Sequence, residues 1–357
     1  MILQSRAQGH NSSGKFNACA TCPPASPTPH STKDRRPLDL IIALVFLIIG
    51  LGGLSFGAEF LIRGAISVSH LVGLSPFIIG LTVVAWGTSA PEVVVTVGAA
   101  LSGVPDVAVG NVIGSNITNV LLIGGAAALV VPLFCARATI SRSSLFLMIA
   151  TGFVLFLAFG LGLLPRWAGL LMVGAMLIQT IAIFLTKATH TVEETENPDW
   201  NWGISSLALA GGLVTLVVGG QIFIIGAVDL AEQVGLPEAV IGATIVAIGT
   251  SLPELFASLA AARHGHRDVV IGNIIGSNLT NILLVLGLVA VISPLEIPPD
   301  LMPWSLILFG LTSSLFIAFL MLGQKIGRLA GLALLLVFCL YILYSLSDGW
   351  EVIDGAF

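Results

Sequence analysis

The stretch Gly87-Thr88-Ser89-Ala90-Pro91-Glu92 returns almost unchanged as Gly249-Thr250-Ser251-Leu252-Pro253-Glu254. Each copy is followed, at the same distance, by Gly-Asn-x-Ile-Gly-Ser-Asn-x-Thr-Asn, at 110–119 and 272–281. The offset is 162 residues throughout, and 28 of the 53 positions in 73–125 recur identically in 235–287. Both copies set a carboxylate, a proline and a row of small oxygen-bearing side chains inside otherwise apolar sequence. Polar groups of that kind are costly at membrane depth, so a duplicated run of them points to an ion pathway.

The surrounding composition supplies the membrane. The chain is 56% hydrophobic and 9% charged, with a mean hydropathy of +1.03, whereas soluble domains carry roughly a quarter of their residues as charged ones. Apolar runs of about 20 residues, enough to cross the hydrocarbon core as a helix, recur at 39–61, 75–101, 109–131, 143–163, 168–186, 204–226, 238–262, 269–292, 304–322 and 329–346. The expected fold is an all-α polytopic membrane protein with ten transmembrane helices. A net charge of −5 argues for no nucleic-acid partner. Cys135 and Cys339 lie in or beside apolar runs as small buried hydrophobes, and Cys19 and Cys22 read as an incidental pair in a polar tail.

The organisation read from the chain is a disordered N-terminal tail (1–37), a five-helix repeat (38–186), a cytoplasmic linker (187–203), a second five-helix repeat (204–347) and a C-terminal tail (348–357). The first tail is too polar to order itself and holds no apolar signal core. An odd number of spans per repeat makes the second copy enter the membrane from the opposite side, an inverted-topology repeat. Placing both termini outside gathers Arg63, Arg137, Arg142, Lys187, Arg263, Arg267, Lys325 and Arg328 on the inner side, against Arg166 in the outer loops. Lys33, Arg35 and Arg36 oppose that orientation.

Within the motif, Pro91 has no amide hydrogen, so a carbonyl one turn earlier loses its partner and the helix opens. Irregular backbone at this depth survives where it lines a cavity. Thr88, Ser89 and Glu92 are expected to converge on one face around that kink, and Thr250, Ser251 and Glu254 around the other. Asn111, Ser115 and Asn119, with Asn273, Ser277 and Asn281, recur at i, i+4 and i+8 and supply a facing set of oxygens. Gly110, Gly114, Gly272 and Gly276 allow close helix approach. Two inverted copies meeting at the midplane would enclose an all-oxygen cage with two carboxylates, which suits hard cations such as Ca²⁺ or Na⁺ and disfavours zinc or copper. Serine, threonine and asparagine also serve as interhelical glue, so Ser89, Thr118 or Asn116 alone decides nothing. Glu92 and Glu254 decide it, because no basic residue lies near the middle of any span. Glu59 reads as an ordinary i, i+4 partner of Arg63, Asp106 and Asp268 as helix caps, and His264 and His266 as part of a solvated basic loop.

At these motifs the chain resembles the cation/Ca²⁺ exchanger superfamily, most closely its prokaryotic sodium/calcium exchanger-type members, from about residue 39 onward. The resemblance implies a ten-helix fold with a central site between helices 2, 3, 7 and 8. It implies that Glu92 and Glu254 bind Ca²⁺ with the oxygens of Thr88 and Thr250. Ser89, Ser251, Ser115 and Ser277, with the carbonyls of Ala85 and Ala247, would then contribute to flanking Na⁺ sites, and helices 1 and 6 would slide against the rest. Such members often pair Asn with Asp at the last motif position; here both are asparagine, Asn119 and Asn281. The expected function is a secondary antiporter exchanging Ca²⁺ for Na⁺, with Ca²⁺/H⁺ or K⁺-assisted exchange as the near alternative. A passive channel and an intramembrane enzyme are the distant ones, and no His-Glu-x-x-His is present. No cofactor beyond the transported ions is expected, and the predicted location is a bacterial inner membrane.

Overall fold

The structure, a computed structural model, describes residues 37–103, 105–185, 200–235, 241, 245–297 and 303–354. The N-terminal tail and most of the expected linker therefore lie outside the described residues. Helix α1 spans Pro37–Val72, with proline in its first turn, where a missing amide costs nothing. A span broken at Ser89 follows, made of α2 (Pro76–Thr88) and α3 (Ala90–Leu101), bent by 44°. Then come α4 (Val107–Val130), α5 (Arg137–Leu161) and α6 (Arg166–Leu185). The second repeat runs through α7 (Trp202–Gln233), α8 (Ala247–Thr250), α9 (Leu252–Arg263), α10 (Arg267–Ile292), α11 (Trp304–Met321) and α12 (Arg328–Asp354). Among the described residues eight helices are long and apolar enough to cross a membrane, nine with the broken pair. The α8–α9 pair repeats that break at offset 162; the start of its expected span, 238–240 and 242–244, lies outside the described residues.

Three helices outrun the lengths read from hydropathy. α1 and α7 hold 36 and 32 residues, about 54 and 48 Å at 1.5 Å per residue, well beyond a hydrocarbon core of about 30 Å. The apolar cores were placed correctly, but the helices continue through polar residues until Gly73 and Gly235 stop them in left-handed backbone (φ +69° and +85°). α12 likewise continues to Asp354 through residues expected to form the C-terminal tail.

Glycine spacing explains how α1 meets α7. Gly50, Gly57 and Gly64 stand seven apart, and so do their repeat equivalents Gly212, Gly219 and Gly226. A Cβ at Gly50, Gly57 or Gly64 would overlap the backbone of Phe223, Leu216 or Leu209. The residue numbers of each pair sum to 273, so the helices are antiparallel and in backbone contact, as small residues permit. Inversion also shows at the helix ends. Strands β1 (Leu163–Leu164) and β2 (Leu295–Glu296) pair antiparallel with Leu164 opposite Leu295, and Leu133 bridges Ile326 elsewhere. Adding 162 turns Leu133 into Leu295 and Leu164 into Ile326, so the two bridges are images of each other. The length of α5 separates Leu133 from Leu163, which places the bridges at opposite ends of the bundle. Two repeats related by such an exchange have opposite membrane orientation.

Burial identifies the centre. In α4 and α10, 78% and 83% of the apolar window is buried, against 22% in α1 and α7 and 11% in α12. At Gly272 and Gly276 an added Cβ would overlap the backbone of Phe77 and Leu81 on α2, so α10 lies against the broken span. No described atom lies within 4 Å of a Cβ placed at Gly110, so the close approach expected at that glycine is not seen.

Candidate ion-binding site

Each proline break begins a helix and places its glutamate in the first turn. Pro91 and Pro253 occupy the second positions of α3 and α9, and Glu92 and Glu254 follow immediately. Both carboxylates are 1% exposed. At Ser89 and Ser251 the backbone leaves helical geometry (ψ 6° and 3°), which turns the hydroxyls away from the helix that follows them.

Those hydroxyls do not serve the glutamate of their own motif. Ser89 Oγ donates to Glu254 Oε1 at 2.9 Å, and Ser251 Oγ donates to Glu92 Oε1 at 3.2 Å. Thr88 lies beside the Glu254 carboxylate and Thr250 beside that of Glu92. The expected convergence around one kink is therefore corrected: each kink supplies the hydroxyls and the other kink supplies the acid. The helix is interrupted at the serine, so i, i+3 and i, i+4 spacing across the break no longer means a shared face.

Several buried oxygens of the two motifs remain unpaired, beside the amide nitrogens of Asn278 and Asn281. Glu92 Oε2, Glu254 Oε2, Ser115 Oγ, Ser277 Oγ, Asn119 Oδ1 and Asn281 Oδ1 are buried without a protein partner. Buried polar atoms are nearly always satisfied, so this set describes a place for a ligand that accepts many oxygens. Among the described residues no three His, Cys, Asp or Glu side chains cluster as a metal site. The chamber relies on two acids and neutral oxygens.

The asparagines divide the work. Asn119 Nδ2 donates to Asn278 Oδ1 at 3.0 Å, joining α4 to α10. The equivalent Asn281 has neither amide atom paired, and Asn116, the mirror of Asn278, bonds back to the Val112 carbonyl at 2.7 Å. Asn111 and Asn273, grouped above with the cage, bond elsewhere: Asn111 Nδ2 reaches Thr96 Oγ1 at 2.8 Å. Asn273 Nδ2 reaches Ser258 Oγ at 3.0 Å and the Glu254 carbonyl at 3.4 Å. They clamp α3 and α9 to the neighbouring spans one turn beyond each glutamate. The sequence did carry a signal for Thr96 and Ser258, a hydroxyl four residues after each glutamate in both copies. Of the two carbonyls singled out, that of Ala85 accepts from the Ser89 amide at 3.0 Å and from Thr88 Oγ1 at 3.3 Å. In the second copy the Ser251 amide bonds Ile248 at 3.1 Å rather than Ala247.

The helices bearing these residues carry wide π-helical turns at Gly80–Val84, Asn119–Gly124 and Thr280–Leu286, a feature common at functional sites. Away from the chamber, Glu59 Oε1 meets both Arg63 at 2.6 Å and His264 Nε2 at 2.9 Å, so His264 is a hydrogen-bond partner of Glu59 rather than only a solvated loop residue.

An inverted-repeat helical bundle with paired acids buried at its centre is an integral membrane ion transporter. Comparison with known proteins names the branch. The chain belongs to the sodium/calcium exchanger protein family, whose model matches residues 42–185 and 204–347, once per repeat. CaxA of Alkalimonas amylolytica is 39% identical over 321 residues, covering 86% of this chain and all of that one. The inner membrane protein YrbG of Escherichia coli K12 is 37% identical over 272 residues, covering 73% of this chain and 83% of that one. The sodium-calcium exchanger NCX_Mj, solved after soaking with Na⁺ and Sr²⁺, superposes with a TM-score of 0.76 at 27% identity, covering 85% of this chain and 98% of that one. The protein is a cation/Ca²⁺ antiporter of the ten-helix inverted-repeat fold, and not an enzyme.

Proposed function

We propose that the chain exchanges Ca²⁺ for Na⁺ by alternating access, with Glu92 and Glu254 shared by the two ions. The observation that supports this reading is the pair of buried acids, each with one oxygen bonded across the repeat and the other buried without a protein partner, as are Ser115 Oγ, Ser277 Oγ, Asn119 Oδ1 and Asn281 Oδ1. Two ionised carboxylates in a dry chamber carry a desolvation cost that only a counter-charge offsets. No Lys, Arg or His pairs with either among the described residues. A cation supplies the charge, and the empty, doubly negative chamber is the state reluctant to cross between access states. That reluctance couples the two fluxes.

In this reading Thr88 and Thr250 join the two acids around Ca²⁺, while Ser89, Ser251, Ser115 and Ser277 with the carbonyls of Ala85 and Ala247 serve Na⁺. Asn119 and Asn281 bear on the counter-ion. With both neutral, the chamber holds two negative charges, which one Ca²⁺ or two monovalent ions balance. Protons therefore remain a second reading for the counter-ion. Radiolabelled Ca²⁺ uptake into proteoliposomes, driven separately by Na⁺, K⁺ and pH gradients under a clamped potential, tests both. Uptake driven by Na⁺ alone supports the first reading, and uptake driven by pH alone replaces it with the second. We further place the protein in a bacterial inner membrane with both termini outside, on the distribution of lysine and arginine between loops.

A further inference from the structure

A cavity of about 280 Å³ opens away from the ion chamber, between the start of α2, the start of α5 and the end of α6. Its polar rim is Ser75, Thr139, Ser141, Arg142 and Ser143. Its other wall is apolar, built from Phe77 and Leu81 on α2 and Ile183 on α6. The rim sits at helix ends: Ser75 precedes α2, Arg142 is five residues into α5, and Ile183 is two residues from the end of α6. At 1.5 Å per residue, Arg142 lies about 8 Å inside its helix end, the depth from which a long basic side chain reaches the headgroup layer.

We propose that this cavity binds the phosphate of an acidic phospholipid, with an acyl chain along the apolar wall. The lining divides as a phospholipid does. Hydroxyl and guanidinium donors meet a phosphate, and an apolar surface continues toward the bilayer centre. Ser75 Oγ accepts from the Ile78 amide at 3.4 Å, which leaves its proton to donate outward. Arg142 engages a protein neighbour, and its fork of five donors has capacity for a phosphate as well. Occupancy ties the start of the broken span to α5 and α6.

The duplication provides an internal comparison. At offset 162, Arg142 becomes Trp304 and Ser143 becomes Ser305. Both line a second cavity of about 300 Å³ with Leu308, Tyr341 and Tyr344, with no cationic side chain among its described lining residues. These are the two lining positions the cavities share, so where the first repeat presents a guanidinium the second presents an indole.

Native mass spectrometry of the purified full chain tests this, using phosphatidylglycerol, phosphatidylcholine and inorganic phosphate as separate probes. The expected result is one retained phosphatidylglycerol per chain, with retention at least tenfold weaker in Arg142→Gln and unchanged in Trp304→Leu. A Thr139→Val/Ser141→Ala double variant, which leaves the guanidinium in place, is expected to weaken retention severalfold and stands in if Arg142→Gln fails to fold. Equal retention by wild type and these variants overturns the assignment. So does retention of phosphatidylcholine equal to that of phosphatidylglycerol. Displacement of the lipid by millimolar inorganic phosphate overturns the lipid and assigns the cavity to a soluble anion.

Discussion

Glu254→Gln separates a transport acid from a structural one by giving the two roles opposite signs. Glutamine keeps the length of the side chain and an oxygen for Ser89 Oγ, which donates to Glu254 Oε1 at 2.9 Å. The change is therefore close to the loss of one charge. Unpairing a buried ion from its partner costs about 3–5 kcal/mol, and 1.4 kcal/mol is a factor of ten. Ca²⁺ affinity is expected to fall by about a hundredfold to a few thousandfold. Stability without ions is expected to move the other way. In the ion-free protein two carboxylates face one dry chamber, and neutralising one removes both a desolvation cost and a like-charge repulsion. The Tm in chelator should hold or rise, while the upward shift produced by Ca²⁺ disappears. Thermal unfolding in detergent over a Ca²⁺ titration reads both, alongside radiolabelled Ca²⁺ uptake into proteoliposomes. A variant that loses several degrees in chelator yet keeps the wild-type Ca²⁺ shift would show that Glu254 holds the fold rather than the ion, and the chamber reading fails.

The clamps beyond the glutamates give a graded effect. Asn273→Ala, which releases both Ser258 and the Glu254 carbonyl, is expected to raise the Ca²⁺ KM about tenfold, from a net hydrogen-bond value of about 1–1.5 kcal/mol. Asn111→Ala, which releases only Thr96, should raise it less; initial-rate uptake compares the two. At the α1–α7 contact, Gly57→Leu should abolish folded protein on size-exclusion chromatography, because its side chain would overlap Leu216 backbone. Gly52→Leu should be tolerated, having no described neighbour within 4 Å of an added Cβ. Burial, with the Asp268 carboxylate beside it, pushes the Cys135 thiol up to about 12. A raised thiol pKa leaves little thiolate below it, on the order of 10⁻⁴ at pH 8. Maleimide labelling of Cys135 should then be about a thousandfold slower than of an unperturbed thiol, and should accelerate as pH rises.

Much of the architecture was legible because its signals are local or periodic. Apolar run length marked the spans, and an odd number of spans in an ungapped repeat required inversion. An acid in an apolar run with no basic residue nearby marked Glu92 and Glu254. The parts that were not legible concern which polar atom meets which. Thr88, Ser89 and Glu92 read as one face because helical spacing was carried across Ser89, where the helix is broken and bent. Asn111 and Asn273 read as cage oxygens because i, i+4, i+8 spacing names a face but not its neighbour. His264 read as solvated because its partner Glu59 lies 205 residues away.

The chain alone determined a duplicated, inverted, all-helical membrane protein with two acids at matching depth. Those conclusions need only the thickness of a bilayer, the period of a helix and the cost of burying charge. Tertiary structure decided that each serine crosses to the other repeat's glutamate, that Asn119 is tied to Asn278 while Asn281 stays unpaired, and that a cavity opens beside Arg142. Hydrogen bonds over 2.7–3.2 Å are chosen by which surfaces an inverted pair brings into contact. Near-identical motifs leave that choice open, because every residue in one copy has an equivalent in the other.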